Sequence, residues 1–315
     1  MDKVRNVEPE LPFDEQQHNP GNRAAGMRTN DSSKRALDEL FAYTRQYRST
    51  AEYIEMMNFV SHFRLYSPFN AMLAHVQMPG AVYVAPAGRW LSEFNRHIKP
   101  GARPLVMLQP RGPVMFVFDV SQTEPLADAP ELPMSVTKPF DVPPRLVVRE
   151  FELTCHNARR DGIHISEASA GSQSAGQVSP IGRGLHVIFA WKSRSKILQM
   201  EIERSYELLL NAEHKTEAKY ATLVHELAHV YCGHLGTQDP AMWPDRRHLS
   251  LAEIEFEAES VCYLVCRRAG IENHSEAYLS SFLDGKGEIP SISIDTVLKV
   301  AGLIEQMGRT SMKPR

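Results

Sequence analysis

The segment ATLVHELAHVYCGH, residues 221–234, constrains the fold most, because it places ionisable side chains inside an apolar helical pattern. His225, Glu226 and His229 alternate there with leucine, valine and alanine. An unpaired polar side chain buried in such a helix costs about 1–3 kcal/mol, and a whole domain is stabilised by only about 5–15 kcal/mol. These groups therefore need a partner, and a shared metal ion is one that makes them tolerable in an apolar helix.

The spacing of the three residues follows the pattern His-Glu-x-x-His. Residues four apart in an α-helix are separated by about 40° around the axis and about 6 Å along it, so both imidazoles point the same way. Zinc binds imidazole nitrogens, takes four ligands and keeps one position open for water in catalytic sites. We expect Zn²⁺ as the cofactor, with His225 and His229 as ligands. Glu226 is then the general base that accepts the proton of the attacking water.

A chance match is the alternative interpretation of so short a motif, and a third ligand would argue against it. In the metzincin arrangement a histidine six residues after the second one binds the ion. That position is Leu235 in this chain, and Cys232 stands where the arrangement requires glycine. The metzincin arrangement is therefore disfavoured, and a carboxylate from another helix becomes the better source of the ligand.

The segment SLAEIEFEAESVCYLVCRRAG, residues 250–270, predicts a second helix with several glutamates. Glu255 and Glu259 lie four apart and share a face with small residues, which suits close packing against the motif helix. We expect Glu255 to bind the ion and Glu259 to accept the free ring N–H of a ligand histidine. Glu253 and Glu257 lie on a different face, and we expect them to be solvated.

An oxyanion forms on the carbonyl oxygen when water attacks a peptide bond, and a hydrogen-bond donor normally stabilises it. The sequence does not single out this donor. Tyr263, His248 and His234 are candidates.

The stretch HELAHVYCGH followed by EFEAESVCYLV resembles the ImmA/IrrE-like zincin metallopeptidases, whose second motif is Glu-x-x-Ala-(Asn/Glu). The resemblance places Glu255 on the metal, with Ala258 and Glu259 beside it. It implies an α+β fold: a zincin-like metallopeptidase domain with an active-site helix, a small mixed sheet and further helices. It also implies a zinc endopeptidase that hydrolyses a specific regulatory or defence-related protein, such as a transcriptional repressor.

The pieces YSPFNAML, HIKPGARPLVML and FVFDVSQT, within residues 35–124, resemble the antirestriction protein ArdC. This resemblance implies a small α+β N-terminal domain that binds single-stranded DNA. Basic side chains interleaved with aromatic rings suit such binding, since they neutralise phosphates and stack on bases. We expect contacts from Arg89, Trp90, Lys99 and Arg103. The alternative function is therefore a DNA-binding antirestriction or mobile-element protein in which the metal is structural or proteolysis is secondary.

Composition divides the chain into four parts. Residues 1–33 are polar and predict a disordered tail, and residues 34–124 form the predicted N-terminal domain. Six of the 21 residues from Glu124 to Pro144 are proline, so residues 125–144 predict a linker without regular elements. Residues 145–315 form the predicted peptidase domain.

Local patterns predict individual elements. Ser67 followed by Pro68 predicts the start of a helix, and RPLVMLQP and VMFVFDVSQT predict strands. The stretches RLVVREFELTC and GLHVIFAWK also predict strands, whereas SIDTVLKVAGLIEQMG predicts a helix.

Charge and hydropathy narrow the classes of function. A net charge of −3 gives no general attraction to nucleic acid or to a membrane surface. The chain has neither a stretch of about 18 apolar residues nor a signal peptide at its start. We therefore expect a cytoplasmic protein with no membrane partner. The four cysteines form no C-x-x-C pair, which predicts reduced thiols.

Overall fold

The computed structural model describes residues 50–109, 112–137, 147–169, 175–194, 196–271, 275, 278–279 and 289–315. The predicted tail, the first part of the predicted N-terminal domain and the end of the predicted linker lie outside these residues. In the described part the chain is an α+β protein, as predicted. None of the helices within those ranges is long and apolar enough to cross a membrane.

Helices and small sheets alternate along the chain. The helices are α1 (Thr50–His62), α2 (Pro68–Gln77), α3 (Ala87–Phe94), α4 (Met134–Thr137), α5 (Val148–Ala158), α6 (Thr216–Tyr231), α7 (Leu251–Ala269) and α8 (Ile294–Arg309). The strands are β1 (Val84–Ala85), β2 (Arg96–Ile98), β3 (Leu105–Gln109), β4 (Gly112–Asp119), β5 (Thr123–Pro125), β6 (Ile163–Ala168), β7 (Gly176–Pro180), β8 (His186–Ser193), β9 (Lys196–Glu203) and β10 (Tyr206–Asn211).

The described strands form two three-stranded sheets and two two-stranded sheets. One sheet has the antiparallel order β1-β4-β3. The other has the order β6-β10-β7, in which β10 runs parallel to β6 and antiparallel to β7. The antiparallel pairs are β2–β5 and β8–β9. The mixed sheet lies next to the motif helix, because β7 and β10 both contact α6.

Capping residues set the helix ends much as the sequence predicts. Ser67 accepts a hydrogen bond from the backbone N–H of Asn70 at the start of α2. Ser250 and Glu253 form a reciprocal capping box at the start of α7, and Gly270 ends that helix in the left-handed region at φ 80°. The predicted start of α2 at Ser67 and the helix predicted within residues 250–270 are confirmed.

The prediction of a strand for RLVVREFELTC is wrong, because residues 148–158 form α5. Val147, at the N-cap, and Phe151, Thr154 and Ala158 are among the buried or half-buried side chains of this segment. They recur at intervals of four, three and four residues, which is the helical period. This helical period, which extends over the whole segment, decides the structure.

The prediction that the proline-rich segment holds no regular element is also wrong in part. Residues 134–137 form α4, and the backbone N–H groups of Val136 and Thr137 both donate to the carbonyl of Pro133. A proline just before a helix costs little, because the first turn has no use for its missing N–H. Val136 is buried in a small cluster with Tyr83 and Trp90.

One large hydrophobic core contains residues from both sides of the proline-rich segment. It extends from Tyr53 of α1 to Met307 of α8 and includes buried faces of α2, α6 and α7. The division into two domains stays a prediction, whereas the shared core is observed.

Arg268 of α7 joins the N-terminal helices to this core. Its guanidinium donates to the carbonyls of Val60 and Phe63, at the end of α1, and of Tyr66, just before α2. It also forms a buried ion pair with Glu305 of α8. The last carbonyls of a helix have no partner within the helix, so a single cation here satisfies several buried acceptors.

Asn70 and Gln77 attach α2 to the sheet β1-β4-β3. The two amides lie two turns apart, and each donates to the carbonyl of one residue of β3 and accepts from the N–H of the same residue. Asn70 bonds Leu108 at 3.0 and 2.9 Å, and Gln77 bonds Val106 at 2.9 and 2.8 Å. The outer edge of β3 is thereby satisfied without another strand.

We predict that Arg268→Met lowers the free energy of unfolding by about 3–5 kcal/mol, because Glu305 and several carbonyls lose their buried partner. Arg309→Met is the matched control, since Arg309 approaches the same carboxylate at 3.5 Å with a side chain that is 52% exposed. It should cost less than about 1 kcal/mol. Urea unfolding measures both variants, and equal losses would contradict the role given to Arg268.

Candidate metal centre

His225, His229 and Glu255 meet where α6 packs against α7. The two Nε2 atoms of the histidines are 3.1 Å apart. The Glu255 carboxylate lies 3.6 Å from Nε2 of His225 and 3.8 Å from Nε2 of His229. One nitrogen from each ring and the carboxylate of a second helix therefore converge on one point.

These residues could hold a metal ion. Zinc–nitrogen bonds of about 2.0–2.1 Å in a tetrahedral site put neighbouring ligand atoms about 3.4 Å apart, close to the spacings observed. Two imidazoles and one carboxylate are a donor set found in catalytic zinc sites. Two ring nitrogens that face each other at 3.1 Å can share at most one proton between them, and a cation satisfies both lone pairs.

His229 is neutral and therefore available as a ligand. Burial lowers the pKa of His229 to about 3, and the neighbouring rings of His225 and His234 act in the same direction. A metal binds the unprotonated imidazole. No proton must be displaced from this ring at neutral pH before a cation binds.

Glu226 lies beside the candidate ligands His225 and His229 in a partly buried position. Burial raises the pKa of its carboxyl above the ordinary value, and the nearby Glu255 raises it further. The neighbouring His225 and a hydrogen bond from the backbone N–H of Val178 oppose this increase. A carboxylate with a raised pKa is a stronger base, as proton abstraction from water requires.

Gly176 allows β7 to approach the motif helix closely. A Cβ atom at this position would lie 2.5 Å from Cγ2 of Thr222 on α6 and 2.8 Å from the carbonyl oxygen of Leu209 on β10. Only glycine fits between the strand and the helix there. The close approach brings Val178, two residues later, to Glu226.

Glu259 lies beside the first ligand histidine, with its carboxylate 3.6 Å from Nδ1 of His225. The structure thus brings together all of the residues that the sequence predicts for this centre. Glu253 lies apart from them and closes the cap of α7 with Ser250.

Glu257 is the clear exception to the sequence predictions, because it is fully buried instead of solvated. Arg246 binds both of its oxygens at 2.6 Å. His234 contacts the carboxylate at 3.0 Å, and the N–H of Ser293 donates to it at 2.8 Å. Burial alone would raise the pKa of Glu257, but these hydrogen bonds outweigh it, so the pKa is lowered and the carboxylate stays charged.

Two of the three candidate oxyanion donors are engaged elsewhere. The hydroxyl of Tyr263 donates to the side chain of Asn58 at 2.7 Å. His234 lies between Glu257 and His229, with a ring that is 1% exposed. His248 is exposed.

Cys232, His234 and Glu257 form a second group whose possible ligand atoms lie within 4.8 Å of one another. Both oxygens of Glu257 already accept hydrogen bonds from Arg246. Burial raises the pKa of the Cys232 thiol well above its ordinary value, so it stays protonated. We therefore interpret this group as a hydrogen-bonded cluster.

The structure changes the predicted DNA contacts. Trp90 is 0% exposed and its indole N–H donates to the carbonyl of Phe118, so the prediction that Trp90 contacts a base is wrong. Arg89 pairs with Glu93 on the same helix, and the ammonium group of Lys99 donates to the carbonyl of Ser121. Arg103 is exposed.

Comparison with known proteins gives little further information. No family model matches the chain, and no solved structure matches it significantly. An uncharacterized protein of Bacillus anthracis is 20% identical over 280 residues, which cover 78% of this chain and 45% of that protein. The chain thus spans about half the length of this relative. What the chain does must be inferred from the candidate metal centre itself.

We predict that Gly176→Ala lowers the free energy of unfolding by about 1–3 kcal/mol, as expected when a methyl group is forced into a packed interface. Gly182→Ala is the matched control, because a Cβ atom there meets nothing within 4 Å. Thermal unfolding compares the two variants. If both are as stable as the wild type, β7 does not need glycine to lie against α6.

We predict that Glu255→Gln weakens zinc binding by at least about 10–100-fold, a loss that even an indirect partner of a ligand can cause. Glu253→Gln is the control on the same helix, since glutamine can replace glutamate in a capping box. Competition with a chelating dye measures the affinity. Equal affinities of the two variants would remove Glu255 from the ligand set.

Proposed function

We propose that this protein is a zinc-dependent metallo-endopeptidase of the ImmA/IrrE-like type. The convergence of His225, His229 and Glu255 on one point, with Glu226 beside them, is the observation that carries the proposal. The three residues would hold the ion. The combination of α6, α7 and the mixed sheet β6-β10-β7 supports a zincin-like fold for this part of the chain.

A bound zinc ion would polarise the scissile carbonyl and make water more acidic. Glu226 takes the proton from the attacking water and then delivers it to the amine that leaves, so protons balance over the reaction. The backbone N–H of Val178 orients the carboxylate of Glu226. Partial burial of the site strengthens these electrostatic interactions, because little water screens them.

The substrate class follows from the resemblance to regulatory peptidases. We propose a specific protein that controls expression or defence, such as a transcriptional repressor. The DNA-binding alternative gains no support from Trp90, the aromatic residue expected to contact DNA, or from its aromatic neighbours. Tyr83, Trp90 and Phe94 are all buried in one small cluster, where they stabilise the N-terminal part of the described chain.

We predict that Glu226→Gln abolishes peptide-bond hydrolysis and leaves zinc affinity within a few-fold of wild type, since Glu226 is not a ligand. The assay incubates a cell extract with wild-type protein or with the variant and maps new protein N-termini by mass spectrometry. Termini that need wild-type protein, and that a chelator suppresses, identify the substrate.

Glu217→Gln is the matched control for this assay, because Glu217 lies in the first turn of the same helix. It should yield the same termini as the wild type. The peptidase proposal fails if Glu226→Gln cleaves as the wild type does, or if zinc-loaded wild type yields no new terminus.

A further inference from the structure

We propose that His234 positions His229 for metal binding, and that Glu257 and Arg246 hold His234 in place. This inference rests on the metal site of the proposed function and adds residues behind it. Nδ1 of His234 lies 3.1 Å from Nδ1 of His229, on the side of the ring that faces away from the converging ligands. The other nitrogen of His234 lies 3.0 Å from Glu257.

A tight turn after α6 returns His234 to the helix that it has just left. Gly233 is in the left-handed region at φ +81°, and a Cβ atom there would lie 1.9 Å from the carbonyl oxygen of Pro244. The backbone N–H of Arg246 donates to the carbonyl of Gly233 at 2.8 Å. The same loop therefore fixes the turn and supplies the arginine that binds Glu257.

The hydrogen bonds that link His229, His234 and Glu257 are compatible with one arrangement of their protons. If Nε2 of His229 faces the ion, its proton is on Nδ1 and is donated to Nδ1 of His234. The proton of His234 is then on Nε2 and is donated to Glu257. Glu257 is anionic and takes its remaining hydrogen bonds from Arg246 and from the N–H of Ser293.

Burial fixes this arrangement of protons more strongly than exposure to water would. The His234 side chain is 1% exposed and that of Glu257 is 0% exposed, so water does not replace a lost partner. Histidine ligands usually donate their second N–H to an oxygen acceptor, which fixes the ring and its tautomer. In this protein His234 is the acceptor instead, and the buried ion pair of Glu257 and Arg246 holds His234 in place.

A pair of variants of similar size separates positioning from packing. Asparagine at position 234 keeps a short-chain oxygen that can accept the proton of His229, whereas leucine has nearly the same shape and no acceptor. We expect His234→Leu to weaken zinc binding by about 10–100-fold. His234→Asn should stay within several-fold of the wild type. Chelator competition measures affinity, and the visible spectrum of the cobalt(II)-loaded protein reports ligand geometry.

Three controls keep the comparison interpretable. His186→Leu removes an exposed histidine of β8 and should leave affinity unchanged. Thermal unfolding of each metal-free variant shows whether it folds. If His234→Leu does not fold, His234→Phe, which keeps the ring without an acceptor, replaces it.

The outcomes distinguish this inference from the proposed function. Equal affinities of the leucine and asparagine variants, whether both normal or both reduced, would overturn the positioning role. Wild-type protein that binds no zinc would overturn the metal site itself. A selective loss in the leucine variant, with a changed cobalt spectrum, supports the inference.

Discussion

The packing of α6 against α7 is the interaction on which the rest of the site depends. Both helices are mostly apolar where they meet, yet their interface contains two histidines and several glutamates. An apolar interface tolerates such groups only if each has a partner. Ion pairs, hydrogen bonds and the convergence of candidate ligand atoms each provide these groups with partners.

Neighbouring elements fix the positions of α6 and α7 relative to each other. Gly176 lets β7 lie directly on α6 and so brings a backbone N–H to Glu226. Arg268 connects the far half of α7 to α1 and α8. The candidate metal centre is therefore built on helices that are fixed from several sides, which favours a preformed geometry over one that the ligand must create.

The sequence predicts well those features that depend on short-range spacing. His225 and His229 are four residues apart, so any helix places them together, and the caps at Ser67 and Ser250 follow from neighbouring residues. Features that depend on distant partners are harder to predict. Glu257 is predicted to be solvated from its helix face, and its partner Arg246, in a loop, gives no local signal of the contact. Trp90 is predicted to contact DNA from its basic neighbours, and its burial with the distant Val136 gives no local signal either.

The exposure of the side chains orders the centre from solvent to core. Glu255 is 39% exposed, His225 20% and His229 11%, whereas His234 and Glu257 are 1% and 0% exposed. Under the proposed function, a substrate would arrive on the side of Glu255 and His225, where the site is open. The opposite side consists of groups already satisfied by one another, so it can hold His229 without offering a ligand to the proposed ion. The open side with the candidate ligands is thus backed by buried polar groups that are bonded to one another.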